Sequence, residues 1–160
     1  MKTLFPDEPT ALFSPCRTWR YSLRRSFGPG GQVMFLMLNP STADEFNNDP
    51  TIRRCIGFAK AWGYGRLVVC NIFAYRATDP AVMKRAADPV GPGNDQAISD
   101  CYWESDIAVA AWGVHGDHLG RGKRLMTTLP TLLCLGKTKD GHPRHPLYVS
   151  RGQKPEPFTP

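Results

Sequence analysis

Apolar residues along this chain gather into short runs separated by amphipathic or polar stretches. Val33–Leu38 (VMFLML) is unbroken, as expected of a strand buried on both faces. Residues 67–70, 106–111 and 131–135 have the same character. Between them lie helix signals. Asp49 can cap a helix whose first turn holds Pro50, with Ile52, Ile56, Ala59 and Trp62 on one face and Gly63 or Gly65 ending it. Further helices are expected from Asp79-Pro80, over 95–104 and over 121–129. Residues 17–27 (RTWRYSLRRSF) alternate like a half-exposed strand, and FGPGGQ reads as the turn of an antiparallel hairpin leading into Val33.

Short buried strands alternating with helices define an α/β protein with a mainly parallel sheet. At 160 residues a single domain over 1–160 is expected, with 1–15 and 150–160 as peripheral or poorly ordered tails. In parallel sheets ligands bind beyond the carboxyl ends of the strands. Four strand exits, LNPST, CNIFAYR, AWGVHG and LGKTKDGHPRHP, should therefore converge on one site.

Asn39, Asn71 and His145 are the polar candidates at these exits. Asn before Pro also serves as a turn device, and a His in a Gly/Pro-rich loop also serves loop bonding. In a site, Asn39 would orient a water or a carbonyl. Asn71 can donate and accept at once, as reading one edge of a pyrimidine requires. His145 could stabilise charge developing on a leaving group. His115 with His118 and His142 with His145 form two i, i+3 pairs, a weak pattern for a metal, and no carboxylate–histidine helix motif supports one. Neither a metal nor a cofactor is expected.

The net charge of +6, from 20 basic against 14 acidic residues, favours polyanions, although solvated faces produce the same balance. The five scattered cysteines read as reduced, mostly buried thiols. No apolar run approaches a membrane span and the first residues do not read as a signal peptide, so a cytoplasmic protein is expected. Phosphate-binding glycine loops, a dinucleotide fingerprint and a serine nucleophile elbow are missing from the sequence.

Together MLNPSTAD, NDPTIRRC, NIFAYRATDP, AWGVHG and LGKTKDGHPRHPLY resemble the bacterial and phage family named domain of unknown function 1643, from about Arg20 to Tyr148. More distantly, the same exits resemble the uracil-DNA glycosylase superfamily. Leu38-Asn39-Pro40 is similar to its water-activating motif, Asn71 to its base-reading Asn, and His145-Pro146 to its late His-Pro motif. That resemblance implies a three-layer α/β/α fold with a central, mainly parallel four-stranded sheet, beside the N-terminal hairpin strand. It also implies a monofunctional glycosylase hydrolysing the N-glycosidic bond of a damaged or modified base.

In that reading Asn39 and Asp44, or Asp49 in place of Asp44, would place the water, and His145 would stabilise the departing base. Asn71 would read the base, with Phe46 or Tyr75 as its aromatic platform. Ser41, Thr42, Arg76, Lys137 and Arg144 would hold phosphates. The partner would be nucleic acid, DNA first, or a nucleotide. An enzyme acting on free nucleosides or nucleotides in the same pocket, and a non-catalytic base-binding module, are the alternatives.

Overall fold

The computed structural model describes residues 10–159, so residues 1–9 of the expected N-terminal tail and residue 160 lie outside it. Among the described residues seven strands form one sheet: β1 (Ala11–Phe13), β2 (Arg20–Ser26), β3 (Gln32–Met37), β4 (Arg66–Asn71), β5 (Ile107–Ala110), β6 (Leu133–Cys134) and β7 (Glu156–Pro157). Their order is β1-β2-β4-β3-β5-β6-β7. Four helices accompany it among the described residues: α1 (Pro50–Ala61), α2 (Pro80–Arg85), α3 (Asn94–Glu104) and α4 (Arg121–Thr128).

The α/β class expected from the sequence is what forms, but the sheet is mixed rather than mainly parallel. β4-β3, β3-β5 and β5-β6 pair in parallel. β1-β2, β2-β4 and β6-β7 pair antiparallel. Two of the added strands come from segments read as tails. β1 joins the edge through β2, and the Pro-rich end docks as β7, where Phe158 N–H donates to the Leu132 carbonyl at 2.9 Å. Phe158 is buried, its ring edge-on to Trp112 at 5.7 Å.

The expected hairpin is also corrected. β4 lies between β2 and β3, with Leu23 opposite Val69 and Val33 opposite Leu67. Residues 27–31 are therefore a crossing loop. Phe27 N–H donates to the Gly65 carbonyl at 2.9 Å, and Gly65 N–H to that of Gly31 at 3.1 Å. A Cβ on Gly65 would sit 2.2 Å from the Gly28 carbonyl oxygen, so the glycine is what lets the loop pass this close.

Alternation along the strands feeds two cores. Val33, Phe35, Met37, Leu67, Val69 and Val109 face one side with Ile52, Cys55, Phe58 and Ala59 of α1. Met34, Leu36, Val68, Cys70, Ala108 and Ala110 face the other with Met83, Ile98, Cys101 and Leu125, from α2, α3 and α4. Helices thus cover both faces, which is why the strand sequences run continuously apolar. Asp49 accepts from Ile52 N–H at 2.9 Å and Asp79 from Ala81 N–H at 2.9 Å, so both expected Asp-Pro caps form. All five cysteines are free, and only Cys16 is exposed. No described helix is long and apolar enough to cross a membrane.

Candidate functional site

At the carboxyl ends of β3, β4, β5 and β6 lies a cavity of about 620 Å³. Each of the four strand exits contributes to it: Asn39, Ser41 and Thr42 after β3, Asn71 and Thr78 at and beyond the end of β4, Trp112 and His115 after β5, His145 and Tyr148 after β6. Arg20, from the start of β2, and Asp49, which caps α1, also line it.

Asn71 is buried at the last position of β4. Its Oδ1 accepts from Arg20 Nη2 at 3.3 Å. Because a guanidinium only donates, this contact fixes the amide and leaves Nδ2–H as a donor lining the cavity. Arg20 itself is only 2% exposed. Its Nη1 donates to the Ala43 carbonyl at 3.0 Å, and its buried Nε meets no acceptor. No carboxylate comes within ion-pair distance of Arg20 among the described residues. Burial pushes the Arg20 pKa down to about 10, an effect partly offset by the Asp49 carboxylate.

Asn39 is anchored through its amide nitrogen, which donates to the Ala77 carbonyl at 2.7 Å and to that of Pro40 at 3.3 Å. These bonds tie the β3 exit to the loop after β4, while the Asn39 Oδ1 accepts no bond from the described groups and remains an acceptor. His145 Nδ1 accepts from Leu147 N–H at 3.2 Å, which requires that nitrogen to be unprotonated and puts the ring proton on Nε2. Burial lowers the His145 pKa, and Asp49 opposes that shift. The site thus combines amide and imidazole donors on Asn71 and His145 with the hydroxyls of Ser41, Thr42 and Thr78, the acceptor amide of Asn39, the Asp49 carboxylate and a buried cation. That set suits a flat, hydrogen-bonding ligand that gains negative charge.

Asn39, Asn71, His145, Ser41 and Thr42 meet in this cavity. Asp44 does not line it. Its carboxylate accepts from Phe46 N–H at 2.9 Å and Asn47 N–H at 2.8 Å, and these bonds hold its pKa below the ordinary value. Asp44 therefore shapes the loop, and Asp49 is the acid in the cavity wall. Phe46 is 88% exposed outside the cavity. Tyr75 packs on the core of the α2–α3–α4 face and bridges Trp19. Arg76 donates to the Arg17 carbonyl at 3.2 Å and lies over the Phe13 ring. Lys137 and Arg144 are exposed on the β6 exit loop, joined by Arg144 Nε donating to the Lys137 carbonyl at 3.2 Å. None of these five lines the cavity.

His115 and His145 line the cavity, but His115 contacts Lys84 Nζ at 3.0 Å and His118 packs on Phe73. Among the described residues, no group of three or more His, Cys, Asp or Glu is placed to hold a metal. Arg20 is the residue that sequence reasoning missed. Arg20 belongs to no motif of its own in the sequence, although the alternation of residues 17–27 puts it in a strand.

The molecule is therefore an α/β protein whose polar strand exits share one cavity. The chain belongs to the family described as protein of unknown function (DUF1643), whose model matches residues 20–147. No curated protein and no solved structure matches it.

Proposed function

We propose that this cavity takes a nucleobase and hydrolyses its N-glycosidic bond, as a monofunctional DNA glycosylase does. One observation carries the reading: Asn39, Asn71 and His145, each similar to a working residue of the uracil-DNA glycosylase superfamily, line a single cavity of about 620 Å³, roomy enough for a base. The seating of four parallel strands at the centre of the sheet, with helices on both faces, is compatible with that superfamily's fold.

In this mechanism the nucleotide is extruded from its stack into the cavity, which favours mispaired or modified bases. Asn71 Nδ2–H donates to a base carbonyl. Water attacks C1′ as the bond from C1′ to the base nitrogen breaks, and the electron pair leaves with the base. Asp49 orients the water and accepts its proton, which finally passes to the departed base. Asn39 Oδ1 holds the same water. His145 Nε2–H and the buried charge of Arg20 stabilise the base anion, acting where negative charge develops. Ser41 and Thr42 hydroxyls support the flanking phosphate.

The test is a panel of oligonucleotides carrying uracil, hydroxymethyluracil, glucosylated hydroxymethylcytosine and other modified bases, incubated with protein and then cleaved with alkali. Strand breaks that vanish in Asn71→Leu and His145→Ala are the expected result. No break with any substrate overturns the enzymatic reading, and release from free nucleosides but not from oligonucleotides transfers it to monomeric substrates.

A further inference from the structure

A second cavity, of about 540 Å³, lies between α1 and the C-terminal loop. Its lining includes Pro50, Arg53, Arg54 and Gly57 of α1, with Leu147 and Arg151 opposite. Pro50 and Leu147 also line the first cavity, so the two meet there. Among the described residues, three guanidiniums and no carboxylate line this groove. Two of them bond neutral carbonyls: Arg53 Nη1 that of Asn48 at 3.0 Å, Arg54 Nε that of Pro146 at 3.2 Å, and Arg54 Nη2 that of Val149. None is ion-paired among the described residues, so the positive charge is not neutralised.

Gly57 is the second, independent observation. Glycine is a poor choice inside a helix. A Cβ at Gly57 would meet nothing within 4 Å, so no neighbour in the fold demands its absence. A helical glycine with open space above it, set among three arginines, fits close approach by something outside the chain.

We propose that this groove carries the sugar-phosphate backbone of a nucleic-acid strand. Gly57 lets the strand close onto α1 while Arg53 and Arg151 contact phosphates. Arg54 links the groove to the site, because the carbonyls it holds, Pro146 and Val149, bracket Leu147 and Tyr148 at the cavity. Delivery of a nucleotide past Pro50 and Leu147 rests on the glycosylase reading; affinity of the groove for the backbone does not.

Fluorescence anisotropy with a labelled single-stranded oligonucleotide, and with a polyglutamate peptide of matched charge, tests this on the full chain. Gly57→Glu, and Arg53→Ala with Arg151→Ala, should each weaken oligonucleotide binding about tenfold or more. The double variant should also flatten log K against log salt by about 1.4, from about 0.7 per lost single-strand phosphate contact. Gly57→Ala should raise Tm yet weaken binding, which keeps the test sound if a charge variant fails to fold. A control pair, Arg85→Ala with Lys139→Ala, should change little. Groove variants no weaker than that control, or a peptide binding as tightly as the oligonucleotide, overturn the proposal. Groove-dependent binding without base release from any substrate upholds it and overturns only the enzymatic reading.

Discussion

Arg20 Nη2 donates to Asn71 Oδ1 at 3.3 Å, and this contact decides which end of the Asn71 amide the cavity presents. Asn71→Asp separates the two jobs of that amide. It keeps an acceptor beside Arg20, now as an ion pair, and removes the donor. Tm should stay at or above wild type while base release falls about tenfold to a hundredfold, the worth of one hydrogen bond in a closed site. Asn71→Leu should lose activity and also about 1–3 kcal/mol of stability, because a buried guanidinium donor is left unpaired. Thermal unfolding and single-turnover release give both readings. An active Asn71→Asp enzyme would sink the assigned donor role.

The two carboxylates near the β3 exit are told apart in the same way. Asp49→Asn preserves the α1 cap, since Asn caps as well as Asp. Loss of a general base should nevertheless slow release about a hundredfold or more. Asp44→Asn sits outside the cavity and weakens only a loop that closes on Phe46 and Asn47, so release should stay close to wild type. The opposite ranking of the two variants would return the base role to Asp44.

His145 sets a pH dependence with a defined sign. Burial holds its folded pKa below the ordinary 6.5. As pH falls past 6.5 the unfolded chain takes up the proton before the folded one does. The stability contribution is thus whole above 6.5 and is lost as pH drops through the folded value. Protonation would also break the Nδ1 bond to Leu147 N–H. Release should therefore show an acid limb below pH 6.5 that disappears in His145→Asn, which retains a donor and an acceptor. A limb unchanged in that variant assigns it to another group.

The positions of the helices and the convergence of the four exits were legible because periodicity and Asp-Pro caps are local signals. Sheet order was not. FGPGGQ carries the residues of a tight turn, and only the long-range packing of Gly65 against Gly28 and Pro29 makes it a crossing loop. β1 and β7 are too short for a periodic signal, and β7 gains its pairing from β6, distant in sequence. In the site, Asn39, Asn71 and His145 could be read because each ends or follows an apolar strand. Arg20 could not be singled out, because its meaning comes from Asn71, 51 positions away. Choosing between Asp44 and Asp49 likewise needed to know which carboxylate faces inward.

The crossing loop has a sharp mutational signature of its own. At Gly65 a Cβ would lie 2.2 Å from the Gly28 carbonyl oxygen and 2.4 Å from that of Pro29. Both are backbone atoms and cannot swing aside like a side-chain tip. Gly65→Ala must push the loop off β4, stretching the bonds that join Phe27, Gly31, Gly65 and Arg66. The expected cost is about 1–3 kcal/mol, the usual range for overpacking. Gly28→Ala, on the same loop, meets nothing within 4 Å and should be close to neutral. Urea unfolding of the pair measures the difference through the midpoint. Equal midpoints would mean that the loop does not cross over β4 and that β2 pairs with β3 after all.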